Sequence, residues 1–241
     1  MASTRRFLAA LTVATCACAV LSCAVPPPPT VRARPSGWSE ATLTRDGADS
    51  FTLDGDEREL TLRAEATNRG GNTRLVAWRD DLSGGDATAC VTTDEQPWPT
   101  QEGVAVGISS TPDRTTALTV TRNVWGRATT VYNVHRWDTG APASSVHLGS
   151  HQMVSALDGR PGAAHRLCAR LDGEQLAFKV WQAGQPEPSW SDPVAARSTW
   201  LPAEWREPGR AGVYLGHVEP GASLRLHDIA LAAAGPTDVP R

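Results

Sequence analysis

Residues 166–190, RLCARLDGEQLAFKVWQAGQPEPSW, constrain the fold more than any other stretch. Leu167, Ala169 and Leu171 alternate with Arg166, Cys168 and Arg170; past Asp172-Gly173, Leu176, Phe178 and Val180 alternate with Ala177, Lys179 and Trp181. A period of two on both sides of an Asp-Gly pair, which tolerates positive φ, predicts an antiparallel hairpin with one face in a core. The other face presents Lys179 beside Trp181. A large aromatic there needs a ligand, a partner or a covering loop.

Short runs of the same kind recur from Trp38 onward. Leu60, Leu62, Ala64 and Ala66 alternate with Thr61, Arg63 and Glu65, and similar runs cover residues 74–79, 87–91, 103–108, 117–121, 130–137, 145–148, 212–218 and 223–231. Gly, Pro, Asp and Asn fill the connections, and no segment carries a long helical period. Many short strands in one chain predict an all-β fold, an antiparallel jelly-roll β-sandwich.

The N-terminus predicts export. Arg5 and Arg6 precede an apolar run over residues 7–21 that ends in small residues and is followed by prolines, the pattern of a signal peptide rather than a membrane span. Val20-Leu21-Ser22-Cys23 resembles a bacterial lipobox, which implies cleavage before Cys23 and lipidation of its thiol; an ordinary secretory signal is the alternative. The expected organisation is a lipoprotein signal peptide over residues 1–22, a proline-rich linker over 23–37, the sandwich over 38–232 and a flexible tail over 233–241. Two or more acyl chains on Cys23 give a stable membrane anchor, on the outer face of the cytoplasmic membrane. Of five cysteines, three lie in the signal, and the remaining Cys90 and Cys168 are expected to form a disulfide in an oxidising compartment. Closing such a loop stabilises by roughly 4 kcal/mol in the chain-entropy picture.

The segments LRLDG-like 167–173, LAFKVWQAGQPEPSW over 176–190, GRAGVYLGH over 209–217 and SLRLHDIAL over 223–231 resemble the concanavalin A-like lectin/glucanase superfamily, laminin G-like jelly-roll domains above all. The resemblance covers roughly residues 50–232, the part before 103 by strand pattern alone. It implies the sandwich and leaves lectins, glucanases and protein-binding modules open. Retaining glucanases of this fold need two carboxyls about 5 Å apart on one strand. No E-x-D-x-x-E run exists here, and Asp54-Gly55-Asp56-Glu57-Arg58-Glu59 reads as a solvated turn. Neither a G-x-S-x-G elbow nor an H-E-x-x-H pair is present, and His147 and His151 read as surface histidines. No enzymatic activity is expected. Many laminin G-like and lectin domains bind calcium, so Asp80, Asp81 and Asp86 on a glycine turn, with Asp228 in the last strand, are the calcium candidates; otherwise no cofactor is expected.

A formal charge of −3 and a pI near 6.1 do not suggest a nucleic-acid partner, and none is expected. Nine tryptophans among 241 residues direct attention to aromatic stacking on sugars. The alternation Val131, Asn133, His135, Trp137 places a polar row and a tryptophan on one strand face, and Trp137 with Trp181 is expected to define a concave binding face. Trp125, Trp137 and Trp181 are the stacking candidates. Arg122, Asn123, Asn133, His135 and Lys179 are the hydrogen-bonding groups. Trp78, Trp200 and Trp205 are expected to be packing residues. The reading is a lipid-anchored, lectin-like module for envelope or environmental glycans. The alternatives are a protein-interaction or structural lipoprotein and, more distantly, a glycoside hydrolase.

Overall fold

The computed structural model describes residues 30–44, 49–68, 71–82, 87–94, 100–123, 130–157, 163–206 and 209–233. The predicted signal peptide, Cys23, Asp86, Trp125 and residues 234–241 lie outside them. The described strands are β1 (Thr30–Ala33), β2 (Trp38–Thr44), β3 (Ser50–Gly55), β4 (Leu60–Ala64), β5 (Arg74–Arg79), β6 (Ala87–Thr93), β7 (Gln101–Ser110) and β8 (Thr115–Arg122). They continue as β9 (Val131–Asp138), β10 (Ser145–Gln152), β11 (His165–Asp172), β12 (Gln175–Gln182), β13 (Ala196–Trp200), β14 (Arg210–Gly216) and β15 (Ser223–Ala233).

Two sheets form. The front sheet has seven strands in the order β10-β9-β8-β7-β14-β5-β2, and the back sheet eight in the order β1-β3-β4-β15-β6-β11-β12-β13. All pairings are antiparallel except β1 with β3. This is the jelly-roll β-sandwich that the sequence predicts. Thr30–Ala33, expected to be linker, instead pairs with Ser50–Thr52, so the folded unit begins by residue 30 rather than 38. Among the described residues, the 3-10 turns Ser155–Leu157 and Ala203–Trp205 interrupt the connections.

The predicted hairpin is β11–β12, in register from His165↔Gln182 to Asp172↔Gln175, with Gly173 at φ 54° where the turn requires it. Leu167, Ala169, Leu171, Leu176, Phe178 and Val180 enter the core between the sheets, where they meet Leu118, Val120, Val134, Val213 and Leu215 of the front sheet. Each such large side chain contributes about 1.5–3 kcal/mol through burial. Cys90 and Cys168 stand directly opposite each other on β6 and β11, Cα atoms 4.1 Å apart, and are joined as the expected disulfide.

One polar centre interrupts this core. Arg122 donates through Nη2 to Glu102 Oε2 at 3.0 Å, and His165 of the back sheet lies 3.9 Å from Glu102 Oε1. Thr93 Oγ1 approaches His165 Nδ1 at 3.1 Å, and the Tyr132 ring stands edge-on to the imidazole. Burial pushes the Glu102 carboxyl up against the pull of Arg122, and lowers His165 to about 3, so this imidazole is neutral at physiological pH. The cluster ties β7 and β8 to β11 across the sandwich. Arg122, expected as a ligand-facing group, is a structural residue here because Leu118 and Val120 set its side of β8 inward.

Candidate functional site

The outer surface of the front sheet is strongly concave. β5 and β9 are separated by three strands, about 19 Å at normal strand spacing, yet the Arg74 guanidinium carbon lies 5.8 Å from the centre of the Trp137 ring. The sheet must curl to allow this, and edge strand β2 returns into contact with β8. Inside the curl, Leu43, Val76, Trp78, Ala105, Ile108, Ala117, Trp137 and Tyr214 form a second apolar cluster. Trp137 is therefore 4% exposed, with its indole nitrogen donating to Thr119 Oγ1 at 2.9 Å and Arg74 near its ring. It is a wall of the concavity and not an open stacking platform.

The polar rim of that concavity is where the predicted row lies. Tyr132 and Val134 point into the core, so Asn133, His135 and Trp137 share the concave side. Ser150 donates to Asn133 Oδ1 at 2.8 Å and lies 3.2 Å from His147 Nε2, while His147 Nδ1 lies 3.2 Å from His135 Nε2. One set of donors satisfies this chain: His135 Nε2–H to His147, His147 Nε2–H to Ser150, and Ser150 O–H to Asn133. His135 Nδ1 is then an acceptor and Asn133 Nδ2 a donor, and neither has a partner among the described residues. Burial, His147 and Arg74 together push His135 down to about 4. Arg74 Nη2 donates to His217 Nε2 at 2.8 Å, and burial followed by the Arg74 charge pushes His217 down to about 4. His217 also holds φ 51°, a conformation costly for a side chain of this size. The rim thus offers neutral imidazoles, an amide, a hydroxyl and one guanidinium beside an indole.

Lys179 and Trp181 lie elsewhere. β12 belongs to the back sheet, so Trp137 and Trp181 are on opposite outer surfaces and no common face contains both. The expected Lys179/Trp181 surface is also closed: they are 3% and 6% exposed. Lys179 Nζ donates to the Pro188 carbonyl at 2.7 Å, pairs with Glu187 at 2.6 Å and lies 4.5 Å from the Trp190 ring centre, with Arg170 at 4.5 Å from the same ring. The loop over residues 183–195 is thereby latched onto the sheet by the chain's one lysine.

Of the calcium candidates, Asp81 and Asp228 are engaged by arginine side chains, and Asp86 lies outside the described residues. Arg79 grips Asp81 through Nε and Nη2 at 3.0 and 2.8 Å, Asp228 pairs with Arg58 and His227, and Asp80 is exposed. Among the described residues no three carboxylate, histidine or cysteine groups come together as a metal site. The acidic turn is structural: Asp56 Oδ1 accepts from the Arg58 and Glu59 amides, Glu57 pairs with Arg79, and Glu59 with Arg225. His147 is exposed, as expected, while His151 is half-buried with its ring edge-on to Phe178.

Two residues escaped the sequence reading. Arg74 and His217 come from β5 and the end of β14, and only the curl of the sheet brings them to β9. Trp200, expected to pack, is 66% exposed because it lies on edge strand β13.

No protein family and no curated protein matches the chain in sequence. Solved structures of similar shape include the VIP36 exoplasmic/lumenal domain in its Ca2+/Man3GlcNAc-bound form, at TM-score 0.46 and 11% identity over 85% of this chain and 86% of that one. The legume lectin-like domain from Entamoeba histolytica gives 0.47 and 7% over 83% and 91%, and a Bacillus subtilis protein with a galectin-like fold 0.46 and 10% over 81% and 89%. These are likenesses of fold alone.

Proposed function

We propose that the protein is an exported module, anchored through lipid on Cys23, that binds a neutral glycan at the rim of the front-sheet concavity and does no chemistry on it. The observation that carries this is the hydrogen-bond chain His135–His147–Ser150–Asn133. It leaves an acceptor, His135 Nδ1, and a donor, Asn133 Nδ2, two residues apart on the concave side of β9 that Trp137 shares. Adjacent sugar hydroxyls each donate and accept, which matches such a pair. Neutral imidazoles suit an uncharged ligand, and Arg74, held by Thr44, Asn72 and His217, adds fixed donors at the opposite wall.

A second reading has its own observation. Val146, Val154, Val194 and Trp200 are the exposed large hydrophobics of the described residues, and they belong to β10, β13 and the segments beside them, the two edges at one side of the sandwich. That side suits a protein partner in the envelope.

A glycan array probed with the full-length chain in a sugar-free detergent tests the first reading, with His135→Ala in parallel. Binding that the variant loses supports it. Binding that the variant keeps, or no binding to any glycan, removes the concave rim as the site and leaves the edge surface. Mass spectrometry of the membrane fraction tests the anchor: a Cys23→Ala chain is expected to leave it.

A further inference from the structure

We propose that the back sheet carries a second binding groove, for a small ligand or saccharide bearing a carboxylate or phosphate group, centred on Arg166. It is independent of the glycan reading, since it lies on the opposite outer surface. Two adjoining cavities of about 640 and 460 Å³ share Arg166 and Asp228 as their common wall. Each falls within the size of ordinary ligand pockets, roughly 300–1,000 Å³.

The charges lining these cavities are matched, with one exception. Glu57 and Asp81 are both held by Arg79, at 3.2 and 2.8 Å, and Glu187 by Lys179 at 2.6 Å. Asp228 is held by His227 at 3.1 Å and by Arg58 at 3.6 Å. Arg166 has no carboxylate within ion-pair distance among the described residues. Its Nη1 donates to Thr92 Oγ1 and to the Asp228 carbonyl, both at 2.9 Å. No described group meets its Nε or Nη2.

That Nε–Nη2 edge is the fork that takes a planar oxyanion side-on. Among the described residues Arg79 uses it so on Asp81, Arg114 on Asp138 and Arg225 on Glu59. On Arg166 the fork meets no described group, and the guanidinium behind it is fixed. Asp228 sits in a bulge of β15 at φ 48°, and that conformation brings its carbonyl to Arg166 while its carboxylate goes to Arg58 and His227. Trp181, 6% exposed, borders the smaller cavity with only its uncovered edge.

Calorimetric titration of the full-length chain in a sugar-free detergent, at low salt, tests this with trigalacturonate, glucose 6-phosphate and neutral maltotriose. At least one anionic probe is expected to bind one per chain and to move the His227 imidazole resonance. The probe that binds tells carboxylate from phosphate. Arg166→Lys keeps the charge and loses the fork, and is expected to weaken binding about tenfold or more. Should that variant prove unstable, Arg58→Gln, at a side chain 78% exposed, alters the same wall without touching the core and is expected to weaken anion binding by a smaller factor. Failure of both anions to bind overturns the proposal. So does binding that survives Arg166→Lys in a folded protein, or that Arg58→Gln leaves unchanged where the lysine variant does not fold.

Discussion

The two outer surfaces of the sandwich solve the same problem differently. On the back sheet a local loop, residues 183–195, folds over its own strand and is pinned by Lys179 to Glu187, Pro188 and Trp190, all within eleven residues of the lysine. On the front sheet the cover is the sheet itself, curled until Arg74 of β5 meets Trp137 of β9, 63 positions along the chain. A local latch covers one patch and leaves a charged groove beside it. A curl buries an apolar floor and gathers polar groups from distant strands at its rim. Each surface carries one non-glycine at positive φ, His217 at the rim and Asp228 in the groove, where irregular backbone re-aims a polar group.

The largest expected effect strikes what both surfaces share. Arg122→Met leaves Glu102 buried without its counter-ion and should cost about 3–5 kcal/mol, seen as a large drop in the urea midpoint; replacing Glu102 by Leu in the same chain should recover much of it. Lys179→Met breaks the latch and should cost about 2 kcal/mol through the lost ion pair and ring contacts, with new proteolysis inside residues 183–195 and unchanged binding at the front rim. Equal cleavage of wild type and variant would mean that the loop does not depend on its lysine.

Acid separates the surfaces again. His135 and His217 at the rim are pushed to about 4 and His165 in the core to about 3, all below the ordinary 6.5. The folded protein keeps these imidazoles neutral while the unfolded chain takes up protons, so the stability from burying them is present above pH 6.5 and lost as the pH falls toward 4 and 3. The urea midpoint should fall over that window, and His135→Gln should remove only the His135 part of the fall, leaving those of His217 and His165. The smallest effect is expected from Trp200→Ala, within about 0.5 kcal/mol of wild type, because the ring is mostly in solvent. A larger loss would mean that the edge surface is packed in the full assembly.

Much of the fold was legible because a period of two and an Asp-Gly turn are local signals. Leu167, Phe178 and Val180 are in the core as their alternation requires, and Cys90 lies opposite Cys168. Within β9 the alternation also placed Asn133, His135 and Trp137 on one side. What alternation cannot carry is the sheet to which a strand belongs, and so Trp137 and Trp181, predicted to share a face, are separated by the whole sandwich. Nor does it report curvature, which buries Trp137 and recruits Arg74 and His217. β1 was read as linker because four prolines precede it, yet Val31 packs against the core beside β3.

The most direct test of the front rim as the glycan site uses the chain's six histidines as reporters. Imidazole resonances of the full-length protein would be followed while a glycan taken from the array is added to saturation. The account predicts shifts at His135, His147 and His217, with His165 in the core and His227 on the back sheet unmoved. Shifts at His227 with a silent His135 would place the glycan on the opposite surface and contradict it.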